Sequence, residues 1–333
     1  MTDHTLSPLP GSWSGLTWQQ LCLCWQVKIR YGGNADIARS AALLGLLGLD
    51  VCGTDDNRAT GERICLLRGE DGRLWTVTPR ELSFMARKAL PWFDYPYGDP
   101  GEEVVKDASG KVVREARDPV RGYVGPMRDA LMLPQETCRV GWRTFALPQV
   151  ACNNLTWHQY RSLQATAQQL FAGDADPGRT LSLQAQFLAH VLVPRSFALI
   201  DSAGGSMRIR PHYEYRYNAE QADGTEGWWE RRLSSDGGET CALFQICFQA
   251  YQTAVAYYAG AYPLLFSGGG KTDPLRDALT GEVGTVNAVM KYAGYASQQE
   301  VYDSNLPFVL DILNTMTKEG KEIERINSRM KKK

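Results

Sequence analysis

Features that would place the protein outside a reducing cytosol are missing from the sequence. The chain contains eight cysteines, yet no two of them have the Cys-x-x-Cys spacing. The first residues, Met1 to His4, lack the basic start and apolar run of a signal peptide. The longest apolar stretch, Ala41 to Leu49, contains two glycines and is too short to span a bilayer. We therefore expect a cytoplasmic protein with free thiols and no membrane partner.

An excess of charge of either sign is also absent. Lysine and arginine number 36 against 37 aspartates and glutamates, which gives a formal net charge of -1. This balance excludes a strongly basic nucleic-acid-binding protein as a description of the whole chain, although it leaves local basic patches open. The length of 333 residues and the hydrophobic content of 44% predict two domains, each with its own core.

The sequence also lacks the signatures of an enzyme or a cofactor-binding protein. Residues Ser267 to Thr272 read Ser-Gly-Gly-Gly-Lys-Thr, but Leu265 stands where a phosphate-binding loop requires glycine, and Asp273-Pro274 follows where its helix should begin. The four histidines are scattered, no cysteine–histidine pair has zinc-ligand spacing, and no Gly-x-Ser-x-Gly elbow occurs. We expect no catalytic residue, no cofactor and no metal site.

What is present is a stretch that occurs twice. Leu16-Thr17-Trp18-Gln19-Gln20 near the start matches Leu155-Thr156-Trp157-His158-Gln159 in mid-chain, and an Ala-Asp pair followed by an arginine lies downstream of both. A threonine followed by tryptophan and glutamine is typical of a helix N-terminus, and we expect the aromatic ring to pack under the next helix. The structural anchors of the repeat are then Trp18, Gln20, Asp36, Arg39, Trp157, Gln159, Asp176 and Arg179.

Each copy is predicted to fold as a helix, a glycine-containing turn and a second helix, over residues 16–48 and 155–193. In the second copy, Asn153-Asn154 is expected to cap a helix that begins at Leu155. We also predict that the two copies pack on each other as a pseudo-symmetric pair.

Hairpins and further helices are predicted between and after the copies. Arg63 to Arg68 and Arg73 to Thr78 are strand-like around a Glu-Asp-Gly turn, and Thr78-Pro79-Arg80-Glu81 is a strong helix start. Between the two copies, we also predict a hairpin over Val104 to Arg114, a helix near Pro126 to Leu133 and a strand within Val140 to Val150. After the second copy, we predict a protruding hairpin over about 201–237 that includes Trp228-Trp229. The C-terminal helices are predicted over Thr240 to Tyr258, over Val283 to Tyr292, after a capping box at Ser297 and from Phe308.

The predicted fold class is α+β and mainly helical. It consists of two tandem, related helical-hairpin modules with inserted β-hairpins and a helical C-terminal part. The first module covers residues 1–139, and the second covers 140–333 with the protruding hairpin, the C-terminal helices and the charged tail.

Two stretches are candidates for binding a partner. The C-terminal helix and its charged tail could dock in a partner groove or could fray in solvent. An Arg- and Tyr-rich stretch could contact nucleic acid, although alternating charge and aromatic residues also suit a half-buried strand, and neighbouring glutamates weaken the patch. The candidate partner-binding residues are Phe308, Ile312, Met316, Ile323, Ile326 and Met330, and the candidate nucleic-acid patch is Arg208, Arg210, Arg216, Arg231 and Arg232.

The two Leu-Thr-Trp motifs and the helix-rich end after Leu306-Pro307-Phe308 resemble tail assembly chaperones of long-tailed bacteriophages and prophages. The chain is longer than a typical member, and its duplication departs from the pattern. The resemblance implies a non-enzymatic protein that coats the long helical tape-measure protein during virion assembly in the host cytoplasm. The alternatives are a virion structural connector or tail adaptor, and a nucleic-acid-associated protein. A homo-oligomer stays open.

Overall fold

The structure of the chain, a computed structural model, confirms the mainly helical α+β class, with small antiparallel sheets beside the helices. Backbone alone is described for 102–106, 112–116, 196–199, 211–214 and 274–281. The described residues are 9–56, 61–94, 102–106, 112–116, 133–172, 176–199, 211–214, 216–235, 238–266 and 274–330.

The chain divides into two compact units. The first contains residues 1–134 and 233–249, and the second contains residues 135–232 and 250–333. The module boundary expected from the sequence places 233–249 in the second module, whereas these residues belong to the first unit. Each unit holds one copy of the repeat, so the predicted pairing of the two copies stays a prediction.

The first copy of the repeat folds as a helical hairpin of α1 (Trp18–Tyr31) and α2 (Ala35–Leu46). α1 begins at a capping box, in which the Thr17 hydroxyl accepts a hydrogen bond from the Gln20 amide and the Gln20 side chain accepts one from the Thr17 amide. The Asn34 side chain caps α2. The helical hairpin predicted for this copy is confirmed.

A three-stranded antiparallel sheet follows, formed in order by β1 (Leu49–Asp56), β2 (Arg63–Gly69) and β3 (Leu74–Val77). The predicted β2–β3 hairpin is confirmed. β1 was not expected, because most of its side chains are exposed and give no alternating apolar pattern. The Thr78 capping box starts α3 (Pro79–Ala89) as predicted.

The second predicted hairpin is also confirmed, since β4 (Glu102–Lys106) and β5 (Val112–Ala116) pair antiparallel. The helix predicted at Pro126 to Leu133 lies outside the described residues except for its last position. The glycine-rich loop at Ser267 to Thr272 lies outside them entirely.

Aromatic rings form much of the first core. The Trp13 ring lies 5.4 Å from that of Trp25 and is stacked 5.6 Å from that of Phe93, between centroids. Ala242 and Ile246, on α8 (Glu239–Ala261), are buried in the same core. The first core therefore needs residues that follow it in sequence by more than a hundred positions.

The second copy repeats the same architecture with α4 (Trp157–Ala172) and α5 (Pro177–Val191). The Thr156 amide donates to the Gln159 side chain at 3.0 Å, and the Gln159 amide donates to the Thr156 hydroxyl at 3.2 Å. The predicted cap at Asn153-Asn154 is wrong, because Thr156 performs that function and the helix begins later. The Asn154 side chain instead donates to a backbone carbonyl in the preceding loop.

A second antiparallel sheet is ordered β6 (Thr137–Val140), β7 (Arg143–Ala146) and β8 (Val193–Pro194). The strand predicted within Val140 to Val150 corresponds to a hairpin that turns at Gly141, whose φ of 59° suits glycine. Phe145 on β7 is fully buried.

The prediction of a protruding hairpin over about 201–237 is wrong for most of its described residues. β9 (Ser196–Leu199) pairs with β10 (Pro211–Glu214), and the described residues that follow form α6 (Ala219–Asp223) and α7 (Glu226–Ser235). Residues 201–210 of the prediction lie outside the described residues. Trp229 lies on α7 and is fully buried, with its ring 5.0 Å from Phe145. Burial of this tryptophan favours the helix over a solvent-exposed strand.

The C-terminal part is helical, as predicted, and its capping box at Ser297 starts a helix. None of the helices formed by the described residues is long and apolar enough to cross a membrane. The remaining helices are α9 (Pro263–Phe266), α10 (Pro274–Ala293), α11 (Gln298–Asp303) and α12 (Leu306–Met330).

Candidate functional site

The two repeat tryptophans occupy the first helical position of their copies but differ in burial. Trp157 is 5% exposed, and its ring stacks on Tyr160 at 5.6 Å between centroids. Its amide also donates to the Ser304 carbonyl at 2.8 Å, beside a β-bridge. Trp18 is half-buried against the first core.

The two repeat glutamines differ in the same direction. Gln159 is fully buried, and its side-chain nitrogen donates to the His190 carbonyl at 2.8 Å. This bond ties the start of α4 to the end of α5. Gln20 is half-buried, and its side chain serves the capping box of α1.

Asp36 and Arg39 form an ion-pair network in the first copy. Asp36 accepts a hydrogen bond from the Arg87 Nε at 2.9 Å, and Arg39 pairs with Asp94 and, at 3.5 Å, with Asp36. Arg39 is 9% exposed. The hydrogen bond from Arg87 holds the pKa of the Asp36 carboxyl below its usual value.

Asp176 and Arg179 have other roles in the second copy. Asp176 is the N-cap of α5 and accepts a hydrogen bond from the Arg179 amide at 2.8 Å. The Arg179 guanidinium is exposed and donates to the Gln169 side chain at 2.6 Å. The matched residues of the repeat therefore do not share a function.

α12 has a packed half and an exposed half. Val309, Leu310 and Ile312 are buried in its first half, and Tyr262 donates a hydrogen bond to Asp311 at 2.6 Å. From residue 318 to residue 330 every side chain is exposed. The second half of the helix is therefore largely in contact with solvent, although Glu319 at its start accepts a hydrogen bond from the Tyr292 hydroxyl at 3.1 Å.

The exposed half of α12 continues a stripe that begins in the packed half and is apolar at every position except Glu319. The stripe advances in alternating steps of four and three residues, which is the spacing of a coiled-coil seam. Of its exposed members, Ile323 is 59%, Ile326 is 46% and Met330 is 62% exposed. We call this row the α12 seam; it consists of Ile312, Met316, Glu319, Ile323, Ile326 and Met330. Phe308, predicted as part of the partner-binding surface, lies outside the seam and is 48% exposed.

An open groove of about 1380 Å³ lies in the first unit. The helical hairpin of α1 and α2, the first sheet and α3 form its walls. Trp75, Phe84 and Met85 line it although they are 43%, 67% and 44% exposed, respectively. Apolar side chains in an open groove are typical of a surface that binds a partner helix.

Only three of the five residues of the candidate nucleic-acid patch lie among the described residues. Arg208 and Arg210 lie outside the described residues, and Arg216 is exposed. Arg231 and Arg232 lie on α7 rather than on a hairpin, and the Arg232 guanidinium lies 5.4 Å from the Trp228 ring. That cation–π contact gives Arg232 a role in packing.

A polar cluster lies where α5, α6 and α7 meet, and its residues all belong to the second unit. His190 is 5% exposed, and its Nδ1 lies 2.8 Å from the Tyr217 hydroxyl. Its Nε2 lies 3.5 Å from an Asp223 carboxylate oxygen. Ligand atoms of His190, Asp223 and Glu226 all lie within 4.8 Å of one another. We call these three residues the His190 cluster.

Burial and like charge shift the titration of this cluster. The pKa of Glu226 is raised by burial first and then by the charges of Asp223 and Glu230. The pKa of His190 is lowered mainly by burial, against the opposing effect of Asp223. Two carboxylates thus face a buried imidazole that favours its neutral form.

No sequence motif indicates either the groove or the His190 cluster. The members of each come together only through tertiary packing of several helices and strands, so no spacing rule connects them. The capping sequence Asn218-Ala219-Glu220 is the one local signal that could have placed a helix before Asp223.

No protein family, no curated protein and no solved structure matches this chain.

Proposed function

We propose that the protein is a non-enzymatic binding protein whose C-terminal helix engages a helical protein partner. Within this class, we propose a tail assembly chaperone whose partner is a tape-measure protein. The observation that supports the proposal is the α12 seam, which continues along a helix half whose side chains are exposed.

A solvent-exposed helix of this length has little stability of its own. Helices shorter than about 12–15 residues are marginal in water, and most helical stability in proteins comes from packing of an apolar face. The exposed half of α12 has such a face in Ile323, Ile326 and Met330 but no surface against it among the described residues. A partner helix that adopts the same seam spacing would provide that surface.

The strength of this contact indicates whether the complex needs a second binding surface. Full burial of an aliphatic side chain contributes about 1.5–3 kcal/mol, and these three are already about half shielded. Their burial would contribute roughly 4 kcal/mol before the cost of association, so this contact alone gives at best about millimolar affinity. A specific complex therefore requires a second surface or several copies bound along one partner. The open groove of the first unit is suited to be that second surface.

The test compares two variants of α12 that add the same charge. Ile323→Asp places a carboxylate in the seam, and Ser328→Asp places one on the opposite face of the helix. In co-purification with a co-expressed tape-measure protein, Ile323→Asp should reduce recovery at least ten-fold, whereas Ser328→Asp should leave it unchanged. Equal recovery in both variants would rule out the seam as the contact.

Mass spectrometry of finished particles separates this proposal from a virion connector. A chaperone is absent from purified virions, whereas a connector or tail adaptor is present in them. The nucleic-acid alternative predicts binding that weakens steeply with salt and is lost in an Arg208→Ala, Arg210→Ala, Arg216→Ala triple variant. Absence of binding at low salt would eliminate it.

A further inference from the structure

We propose that the His190 cluster, formed by His190, Asp223 and Glu226, binds a divalent transition-metal ion such as zinc. The inference is independent of the proposed function, since it concerns another part of the second unit. It differs from the expectation drawn from the sequence, which is that the chain has no metal site.

The chemistry of the three side chains suits such an ion. One imidazole nitrogen and two carboxylates are ligands that zinc and its neighbours accept, and thiolates are not required. Asp223 is the last residue of α6 and Glu226 is the first residue of α7, so a tight corner presents both carboxylates together. α5 brings His190 to the same place in its last turn.

The distances favour a metal over a direct hydrogen bond. The separation of 3.5 Å between His190 Nε2 and the Asp223 oxygen is long for an N–H donor and a carboxylate, which approach to about 2.7–2.9 Å when paired. Zinc–ligand bonds of about 2.0–2.1 Å place two tetrahedral ligand atoms roughly 3.3 Å apart. The Glu226 oxygen lies within 4.8 Å of both, so a small side-chain rotation would complete three ligands.

The second observation is the buried imidazole itself. The His190 side chain is 6% exposed, and among the described residues its Nε2 has no contact to a polar atom closer than the Asp223 oxygen at 3.5 Å. Tyr217 holds the other ring nitrogen at 2.8 Å. With Nδ1–H donating to the Tyr217 oxygen, Nε2 presents a lone pair to the cluster, as in proteins whose metal-binding histidine donates its other nitrogen to a neighbouring oxygen.

Solvent can reach the proposed ion on one side. The Asp223 side chain is 64% exposed, whereas His190 is buried. An ion held here would have an open position for water and would join α5 to the corner between α6 and α7. We therefore expect the ion to stabilise the second unit.

The test is a zinc titration of the full-length protein by isothermal titration calorimetry, after treatment with a chelator. The wild type should bind one equivalent, and Asp223→Asn and Glu226→Gln should each weaken this binding at least ten-fold. His190→Gln should do the same, and its circular dichroism spectrum checks that it folds. Glu220→Gln, on the exposed face of the same α6 helix, is the matched control and should bind as the wild type does.

The variant Tyr217→Phe tests whether the Tyr217 hydroxyl positions the His190 imidazole. It should weaken zinc binding about ten-fold or more and keep the stoichiometry at one, because the ring loses the hydrogen bond that orients it. Cobalt bound in place of zinc should give a visible spectrum typical of nitrogen and oxygen ligands. Absence of zinc binding by the wild type, or equal binding by the wild type and Asp223→Asn, would overturn the proposal.

Discussion

The two helical hairpins begin with the same motif and then use it differently. In both, a threonine and a glutamine form reciprocal hydrogen bonds at the helix start. In the second hairpin the start is also buried, since Trp157 is 5% exposed and Gln159 bonds to the far end of α5. In the first, Trp18 and Gln20 are half-buried, and Arg39 is the buried polar anchor.

This difference shows that the motif determines the start of a helix and not what its side chains contact. A capping box satisfies backbone donors within one turn, so it forms wherever its sequence occurs. What the aromatic and polar side chains contact beyond that turn depends on the rest of each unit. Substitutions at matched positions should therefore have unequal effects, except at the cap.

The largest expected contrast is between the two tryptophans. Trp157→Ala should lower the free energy of unfolding by about 3–5 kcal/mol, because it empties a site that the aromatic ring fills while 5% exposed. Trp18→Ala should cost about half as much or less. Urea denaturation followed by circular dichroism measures both, and equal losses would contradict the difference in anchoring.

Of the two matched arginines, the one in the first copy should contribute more to stability. Arg39→Ala should cost roughly 2 kcal/mol, because it removes a cation that is 9% exposed and leaves Asp94 without that partner, whereas Asp36 keeps Arg87. Arg179→Ala should stay within about 0.5 kcal/mol, since its guanidinium is exposed. The same denaturation measurement applies, and a larger loss in Arg179→Ala would show that the matched arginines share a role.

The caps should behave alike. Thr17→Ala and Thr156→Ala should each cost about 1 kcal/mol, because each removes one side-chain acceptor at a helix start. Thr→Ser at either position should restore most of the loss. Hydrogen exchange of the first turn of α1 and α4 would locate the effect, and a cost confined to one copy would contradict equivalence.

The smallest effect is a pH dependence that belongs to the first hairpin. The folded-state pKa of Asp36 is lowered by its hydrogen bond with Arg87, so its contribution is fully present above the unfolded value near 3.9. That contribution is lost as pH falls through the folded pKa. When the thermal unfolding midpoint is measured against pH, Asp36→Asn should therefore slightly reduce its decline at acid pH. An unchanged decline would show that the Asp36–Arg87 pair adds no stability.

Local signals in the sequence predict local structure well. Thr78-Pro79 and Ser297 start helices as expected, and the turn at Gly72 joins two strands. β1 and α7 were missed, because the first shows no periodic pattern and the second contains two tryptophans after a glycine. Propensity does not reveal that Trp229 is buried against Phe145, since that contact is tertiary.

The candidate sites were predictable only where one helix carries them. The spacing of Ile323, Ile326 and Met330 can be read from the sequence because a helix places such residues on one side. The His190 cluster could not be found this way. His190 and Asp223 approach each other only after α5 and α6 have packed.

The first unit is built from two separate segments of the chain, and this has a consequence for its synthesis on the ribosome. Its core includes Ala242 and Ile246, yet its N-terminal part ends at residue 134. At about 5–20 residues per second, the 115 residues from 135 to 249 take roughly 5–25 seconds to translate. Throughout that interval the nascent chain presents an apolar surface that its own later helix will cover.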